Sequence, residues 1–291
     1  DYSLFLCNSG AEANENAVKL ASFTTGRSRI LAMHAAFHGR TSMAVALSDN
    51  PNIQAPVNKT ANVTFINLND VEALKAELAT GEYAAVIIEP IQGVGGIRVA
   101  SDEFLKAARE QCDKTGTLLI MDEVQSGFGR SGKFFAHQWS GVQADIVSMA
   151  KGIANGFPVG AIIISPKIPA KSGMLGTTFG GSHLACAAAI AVADVIKAEN
   201  LVENARVMGE KIVEAIKGTS GITDIRGRGL MIGIDLTVPQ ADFRKVLREK
   251  HHIMTGLTGK YTLRLLPPLV VGEKEVERFA EAFRATALEL G

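Results

Sequence analysis

The sequence contains few cysteines, no excess of either charge and no long apolar run. Its three cysteines, Cys7, Cys112 and Cys186, are odd in number and far apart among 291 residues. Such a set argues against a disulfide framework and a metal cluster, and favours a reducing compartment, so we expect a cytoplasmic protein. Basic and acidic residues each number 30, so no basic surface indicates nucleic acid or an anionic membrane as a partner. Small molecules are therefore the expected ligands.

Three further absences narrow the interpretation. The most apolar stretch, residues 185–196, is too short to span a bilayer and contains Asp194, so it predicts a core helix and no membrane crossing. The chain starts with DYSLFLCNSG, without a methionine, so we expect a further N-terminal segment before it. His34 and His38 are four residues apart but lack the helix and the glutamate of a zinc-protease motif, so we expect no metal.

Short strand-like runs alternate with helical runs along the first two thirds of the chain. LFLC is followed by AEANENAVKLASFTT, for example, and AAVIIE by SDEFLKAAREQCDKTG. Such alternation is typical of crossover units between parallel strands. It predicts an α/β fold with a mostly parallel sheet flanked on both faces by helices.

The pattern changes after a long alanine-rich helical region, residues 183–217, which we expect to form two helices with a break near Gly209. ITDIRGRGLMIGIDL then predicts a pair of strands, and residues 273–290 predict a final amphipathic helix. This order indicates a smaller C-terminal α+β domain. We therefore predict a large domain over 1–205 and a small domain over 206–291.

Polar residues follow the apolar strands at four points. The segment NSG at residues 8–10 follows the first strand, and Glu89, Asp122 and Lys151 stand at the ends of three later ones. Ligands of open parallel sheets bind beyond the carboxyl ends of the strands. The sequence therefore predicts one site at which these four strand ends converge.

Ser9, Gly10 and Ala11 form a turn that opens a long helical run. The free N–H groups at such a helix start bind phosphate well. A plain helix cap is the alternative, in which Ser9 accepts a hydrogen bond from the first turn and Glu12 completes a capping box.

Asp122 ends an almost wholly apolar strand, where a carboxylate is unfavourable unless a cation or strong donors meet it. A protonated ring nitrogen would be such a cation, and an arginine partner or a helix N-cap is the alternative. The segment GFGRSG at 127–132 has dinucleotide-binding spacing, but a polar stretch separates it from the strand and a poor helix start follows it. We interpret it as a flexible loop.

Lys151 ends the next apolar strand and is followed by Gly152 and Gly156. Reduced solvation lowers the pKa of a lysine and yields the nucleophilic neutral amine that Schiff-base chemistry with an aldehyde requires. A lysine that extends to solvent is the alternative. A phosphate-binding turn, a buried aspartate and a strand-end lysine together fit pyridoxal 5′-phosphate (PLP), which carries an aldehyde, a phosphate and a ring nitrogen.

Several segments, in order along nearly the whole chain, also carry a family resemblance. They are NSGAEANE, FHGRT, IIEPIQG, DEVQSGFGRSG, AKGIANGFPVGA, GTTFGGSHLA, RGRGLMIGI and RLLPPL. The chain resembles the class III aminotransferases of fold type I, and within them the acetylornithine, succinylornithine and ornithine aminotransferases.

The resemblance implies a role for each candidate site residue. Lys151 would hold PLP in a Schiff base and Asp122 would bond the pyridinium nitrogen, and these two are the implied catalytic residues. The other implied contacts are Ser9, Gly10 and Ala11 with the phosphate, Phe37 stacked on the ring, Gln125 with the ring hydroxyl, Thr178 with the phosphate of the neighbouring subunit, Arg40 and Arg264 with substrate carboxylates, and Thr177 close to the substrate. For either arginine, a salt bridge is the alternative.

Two features depart from the family. Val94 stands where the family usually has an acidic residue, which pairs with the arginine matched by Arg264. A changed preference for the amino donor, towards an N-succinyl donor, follows as a hypothesis. The long N-terminal segment that supplies substrate contacts and part of the dimer interface in the family is not in this sequence.

We therefore expect a homodimeric PLP-dependent aminotransferase with a shared active site. It would move the terminal amino group of N²-acetyl-L-ornithine, or a close N²-acyl-ornithine, to 2-oxoglutarate in arginine biosynthesis. Ornithine, succinylornithine or 4-aminobutyrate as donor, and an aminomutase, are alternatives within the class. An NAD-dependent oxidoreductase relying on Gly127, Gly129 and Gly132, and an inactive cofactor-binding fragment, are alternatives from other classes.

Overall fold

A computed structural model describes residues 1–169 and 171–291. Its strands are β1 (Ser3–Cys7), β2 (Arg29–Met33), β3 (Val63–Ile66), β4 (Tyr83–Ile88), β5 (Ile91–Gln92), β6 (Arg98–Val99), β7 (Leu118–Asp122), β8 (Ile146–Met149), β9 (Gly160–Ile164), β10 (Ile222–Arg228), β11 (Met231–Leu236), β12 (Gly256–Thr258) and β13 (Thr262–Leu265). Its helices are α1 (Gly10–Thr25), α2 (Ser42–Ala46), α3 (Val71–Ala79), α4 (Asp102–Thr115), α5 (His183–Ala198), α6 (Leu201–Ile216), α7 (Gln240–His251) and α8 (Glu273–Leu290).

The larger sheet has seven strands in the order β1-β9-β8-β7-β4-β2-β3. All neighbouring pairs from β8 to β3 are parallel, whereas β9 runs antiparallel to both β8 and β1. Strand β1 therefore points the same way as the parallel strands, and the carboxyl ends of β1, β8, β7 and β4 share one edge of the sheet. The predicted α/β class with a mostly parallel sheet is confirmed.

Central strands of this sheet are buried on both faces, which explains their nearly continuous apolar sequences. Along β4, Val86 and Ile88 face one hydrophobic core while Ala85 and Ile87 face the other. Helices α3 and α4 cover the first face and α1 covers the second, with buried residues such as Leu78, Phe104 and Leu20 respectively. The helices thus form a layer on each side of the sheet.

The C-terminal part forms an antiparallel sheet in the order β10-β11-β13-β12, on which α6, α7 and α8 pack around a separate core. The helical region before it breaks at Glu199 and Asn200, so the predicted break near Gly209 is wrong. Asn200 adopts the left-handed conformation at the break, with φ of 51°. Leu201 packs in the core of the large sheet and Ala205 in the second core, and a domain boundary near residue 205 stays a proposal.

We predicted a flexible loop at 127–132, but this turn packs closely against the C-terminal part. Ser131 is fully buried, and a Cβ built on Gly132 would lie 2.9 Å from Cβ of Arg206. The element after this turn is a short 3-10 helix, Ala136–Trp139. Glycines at 129 and 132 are needed because both have φ above +80°.

Gly209→Ala tests how closely α6 packs on the turn before β11. Alanine normally stabilises a helix interior by about 1 kcal/mol relative to glycine. Here a Cβ on Gly209 would lie 2.1 Å from the carbonyl oxygen of Gly229, so we expect a loss of about 2 kcal/mol or more in unfolding free energy. Chemical denaturation measures this, with Gly176→Ala, which meets no atom within 4 Å, as the control. A more stable Gly209→Ala variant would contradict the close packing.

Candidate active site

The four predicted strand ends do lie side by side. Ser9 follows β1, Lys151 follows β8, Asp122 ends β7 and Glu89 follows β4, and only β9 intervenes between the first two of these strands. The backbone at the start of β9 also reaches this edge, because Gly160 pairs with Cys7. The site therefore lies where the parallel strands end.

Asp122 is 4% exposed and its carboxylate receives three hydrogen bonds. Its Oδ2 accepts from Asn14 Nδ2 and from His38 Nδ1, both at 2.7 Å. Its Oδ1 accepts from the backbone N–H of Val124 at 3.0 Å. A carboxylate has about four acceptor positions, so one position on Oδ1 is available for a further donor. The alternatives of an arginine partner or a helix N-cap are not what the structure has at Asp122.

Asn14 and His38 hold this carboxylate and had no assigned role from the sequence. Asn14 Oδ1 accepts from Ser148 Oγ at 2.6 Å, and Asn14 Nδ2 also donates to the carbonyl of His38 at 2.8 Å. Burial opposes a charged imidazole at His38, but the hydrogen bond and the charge of Asp122, with a contribution from Glu89, raise the pKa of His38. In the sequence, Asn14 could have indicated this site, because it is a polar residue on the buried face of α1.

Glu89 is a second buried carboxylate, and it also had no assigned role beyond its place at a strand end. It is 5% exposed. Its Oε1 accepts from the N–H of Phe37 at 2.9 Å, and its Oε2 accepts from the N–H of Gly93 at 3.0 Å. Burial raises the pKa of Glu89 to about 7, with Asp122 adding to the effect and His38 and the two N–H groups opposing it.

Lys151 begins a short 3-10 turn and has a left-handed backbone, with φ of 47°. A residue with a side chain adopts this conformation at some energetic cost, which often marks a functional position. The residue as a whole is exposed to solvent, although protein atoms surround its amine. The surrounding protein lowers the pKa of Lys151 by burial, Arg264 adds to this effect, and the carboxylates of Asp122 and Glu89 oppose it.

The turn before α1 combines a helix cap with free N–H groups. Ser9 Oγ accepts from the N–H of Glu12 at 3.2 Å, as in the alternative of a plain helix cap. The Glu12 carboxylate accepts from the N–H of Asn8, so it does not complete the capping box of that alternative. The first N–H groups of a helix have no partner within it, and no hydrogen bond from Gly10 or Ala11 N–H is found among the described residues. This turn can therefore still bind an anion.

Close backbone approaches hold this turn against the site. A Cβ on Gly10 would lie 2.6 Å from Cγ1 of Val124, next to Asp122. A Cβ on Gly160 would lie 2.5 Å from the carbonyl oxygen of Ser9. Only glycine allows such approaches without displacement of the neighbour.

Gln125 and Arg264 both approach Gly93 in the turn after β5. Arg264 reaches from β13 of the second sheet and its Nη1 donates to the carbonyl of Gly93 at 2.8 Å. Burial lowers the pKa of Arg264, with Glu89 opposing. A Cβ on Gly93 would lie 1.6 Å from Gln125 Oε1, so a side chain at this position would displace the Gln125 amide. Gln125 Oε1 and Arg264 Nε are buried and have no partner among the described residues.

Three of the remaining predicted residues lie next to residues of the site, and Thr178 does not. Phe37 is tied to it through Glu89. Thr177 Oγ1 accepts from Asn8 Nδ2 at 3.0 Å beside the turn before α1. Arg40 is exposed and follows Gly39, whose backbone presses on Ala11. Thr178 is exposed, and no contact with the other candidates is found for its side chain in the described part of the chain.

Comparison with known proteins identifies the family. The family model for aminotransferase class-III matches residues 1–287. The chain belongs to the class-III aminotransferases. The acetylornithine aminotransferase of Methanosarcina mazei is 42% identical to it over 278 residues, which cover 94% of this chain and 70% of that protein. The acetylornithine aminotransferase of Corynebacterium efficiens is 43% identical over 292 residues, which cover 99% of this chain and 72% of that protein.

Solved structures agree with this assignment. The ornithine aminotransferase of Toxoplasma gondii matches with a TM-score of 0.92 at 30% identity, over 99% of this chain and 73% of that chain. That protein carries PLP at partial occupancy in its active site. The predicted family, the fold type and a PLP-dependent transaminase activity are therefore confirmed.

The crevice of this class-III aminotransferase fits PLP. The free N–H groups at the start of α1 can bind its phosphate, and the remaining acceptor position on Asp122 Oδ1 can accept a hydrogen bond from a protonated ring nitrogen. Gln125 Oε1, which has no partner among the described residues, can accept one from a ring hydroxyl.

In the described residues, no group of three or more His, Cys, Asp and Glu side chains is placed to hold a metal ion. None of the helices in that part of the chain combines the length and apolar character that a membrane crossing requires.

The raised pKa of Glu89 predicts how the stability of the apoprotein depends on pH. The folded protein binds this proton up to about pH 7, whereas the unfolded chain releases it near 4.5. Protonation of Glu89 therefore adds to the free energy of unfolding at low pH, and this contribution is lost as the pH rises towards 7. Between pH 5 and 8 we expect wild type to lose about 2 kcal/mol more unfolding free energy than Glu89→Gln. Urea denaturation at each pH measures this, and equal losses in the two proteins would contradict the buried proton.

Proposed function

We propose that the protein transfers the terminal amino group of N²-acetyl-L-ornithine to 2-oxoglutarate, giving glutamate and the semialdehyde, as a step of arginine biosynthesis. The observation that carries this proposal is the identity above 40% to acetylornithine aminotransferases over nearly the whole chain. Ornithine is the second candidate donor, because the ornithine aminotransferase of Toxoplasma gondii shares the fold at 30% identity. A panel of acetylornithine, succinylornithine, ornithine and 4-aminobutyrate, scored by glutamate formation, distinguishes the donors.

The residues around the cofactor would divide the work as follows. PLP supplies an aldehyde that takes up the amino group and a ring that accepts the electrons released when the adjacent C–H bond breaks. Asp122 would keep a proton on the ring nitrogen, supported by the donors that hold its carboxylate in place. Lys151 would move the proton between the substrate carbon and the cofactor carbon, and its lowered pKa favours the neutral amine that accepts this proton. Phe37 would stack on the ring, and Gln125 would bond its hydroxyl.

Separate residues would bind the phosphate and the substrate carboxylates. Ser9, Gly10 and Ala11 would bind the phosphate through the start of α1. Arg40 and Arg264 would orient the carboxylates through bidentate pairs. Arg264 has a buried Nε without a partner among the described residues, which supports this role. Thr177 would lie close to the substrate, on the side of Asn8.

We further propose a homodimer with a shared active site, in which Thr178 reaches the phosphate bound by the partner subunit. Thr178 is exposed, and the neighbouring apolar residues Phe179 and Leu184 are 74% and 71% exposed. A partner that covers them would remove apolar surface from water.

The cytoplasm is the proposed compartment, since Cys7, Cys112 and Cys186 are all free thiols.

Lys151→Ala tests the assignment of the lysine. We expect loss of amino transfer by about a thousandfold or more, because the residue would both hold the cofactor and move the proton. Borohydride reduction of wild type should attach the cofactor to the peptide that contains Lys151, as mass spectrometry would show. Lys167→Ala, which removes an exposed lysine, is the control and should retain activity. A Lys151→Ala variant with full activity would refute the assignment.

Val94→Glu tests the hypothesis on donor preference. Val94 is 44% exposed and directly follows Gly93, whose carbonyl receives Arg264. A glutamate at this position would compete with a substrate carboxylate for the Arg264 guanidinium. Ion pairing at a partly exposed site contributes about 1 kcal/mol to the free energy. We expect the ratio of kcat/KM for acetylornithine over succinylornithine to rise about fivefold.

The control is Val57→Glu, which changes an 84% exposed valine outside the crevice. It should leave the ratio as in wild type. An unchanged ratio in Val94→Glu as well would dispose of the hypothesis.

A further inference from the structure

The carboxylate of Glu89 contacts backbone only, although it lies among charged side chains. Its two oxygens accept one N–H each, from Phe37 at 2.9 Å and from Gly93 at 3.0 Å. No salt bridge to it is found among the described residues. A buried carboxylate without a directly paired cation is unfavourable, so its retention at this position calls for an explanation.

The two N–H groups belong to two separate segments of the crevice. Phe37 lies in the segment between β2 and α2, and Gly93 lies in the turn between β5 and β6. The carbonyl of Gly93 in turn accepts from Arg264 Nη1 at 2.8 Å. One carboxylate therefore connects the backbone of Phe37, through Gly93, to the guanidinium of Arg264.

The far end of the turn after β5 has an anchor of its own. Arg226 Nε donates to the carbonyl of Gly96 at 2.8 Å. Loss of the Glu89 contact would therefore release Gly93 from the Phe37 segment, while the turn stays attached to the second sheet through Arg264, Thr258 and Arg226. The effect of Glu89 on this turn is local.

We propose that Glu89 is a positioning residue that clamps Phe37 and Gly93 to each other and thereby sets the distance between the ring-stacking aromatic and the carboxylate-binding Arg264. This inference rests on the roles of Phe37 and Arg264 in the proposed function. Through the clamp, Phe37 and Arg264 are held in one geometry, although Phe37 follows a strand of the large sheet and Arg264 lies on β13 of the second sheet.

The clamp requires both carboxylate oxygens to be acceptors. A glutamine would present its NH₂ group to one of the two N–H donors, and a protonated carboxyl would present its O–H in the same way. Groups of both signs act on Glu89: the pKa of Glu89 responds to His38 and Asp122, and the pKa values of Lys151 and Arg264 respond in turn to Glu89. The pKa of about 7 for Glu89 places the loss of the clamp within the physiological range.

A role of Glu89 through its charge alone makes the opposite prediction. A negative charge near Arg264 and Lys151 weakens the binding of a substrate carboxylate, so a neutral residue at 89 would strengthen it. If the carboxylate positions Gly93, a neutral residue would weaken that binding. The sign of the change separates the two roles.

Amide hydrogen exchange in the cofactor-free protein tests the clamp directly. At pH 8.5, Glu89→Gln should lower the protection factors of the Phe37 and Gly93 amides about tenfold and leave that of Leu119 unchanged. The matched control is Asp145→Asn, another buried carboxylate, which accepts from the Leu119 N–H at 2.8 Å at the opposite end of the sheet. That variant should affect Leu119 and spare Phe37 and Gly93. Unchanged protection at Phe37 and Gly93 in Glu89→Gln would overturn the proposal.

The wild-type protein provides the same test if the variant does not fold. Between pH 8.5 and 5.5 the carboxyl becomes protonated, so the protection factors of Phe37 and Gly93 should fall while that of Leu119 is maintained. Protection that is equal at the two pH values for all three amides would contradict the clamp.

Glutarate, a dicarboxylate of the length of 2-oxoglutarate, tests the effect on Arg264. By titration calorimetry with the cofactor-free proteins, Glu89→Gln should bind glutarate about tenfold more weakly than wild type at pH 8.5, and within twofold of wild type at pH 5.5. Tighter binding at pH 8.5, or the same difference at both pH values, would refute positioning by Glu89. These measurements use no amino donor, so a wild type that fails to transfer the amino group of acetylornithine would refute the proposed function and leave the clamp to be judged separately.

Discussion

The site depends on a single carboxylate that is buried at the end of β7. Taking the carboxylate of Asp122 out of water is costly unless donors replace the lost hydration. The donors come from α1, from the segment after β2 and from the turn after β7, namely Asn14, His38 and the Val124 N–H. Each element must sit within about 3 Å of the carboxylate oxygens, so one buried charge specifies how three parts of the chain meet. The same requirement leaves one acceptor position open for the cofactor.

Glycines allow the backbone to close around that carboxylate. Gly10 presses on Val124, and Gly160 presses on the backbone of Ser9, at distances where any Cβ would collide. The start of α1 is thus brought next to the end of β7. A helix terminus that binds anions and a carboxylate that binds cations therefore lie within reach of one small molecule. A phosphate and a ring nitrogen in one cofactor match that arrangement.

The charged side chains of the site reduce the stability of the folded protein. Burial lowers the pKa of Lys151 and of Arg264 and raises that of Glu89 to about 7. Each shift means that the folded protein disfavours the charged form of that group. Proteins commonly tolerate such unfavourable groups where activity requires them, and here they cluster at the converging strand ends and at Arg264, whose guanidinium reaches over from the second sheet.

Local patterns in the sequence determined a large part of this picture. Buried central strands impose continuous apolar runs, so the parallel sheet and the strand-end positions of Ser9, Asp122 and Lys151 could be predicted. The family motifs were sufficient for the cofactor and the class of reaction. The helix break was misplaced at Gly209 because glycine often ends helices, whereas here it lets α6 approach Gly229 and the break lies at Asn200.

Only the tertiary structure decided which polar residues meet. The hydrogen-bond partners of Asn14, His38 and Glu89 could not be predicted from local sequence, because they lie 108, 84 and 52 residues away, at Asp122 for the first two and at Phe37 for the third. The same holds for Arg264, which is 171 residues from Gly93. Sequence spacing determines secondary structure and strand ends, since those follow from local backbone and side-chain preferences. Hydrogen bonds between distant segments depend on how the sheets and helices pack, and that is a property of the whole fold.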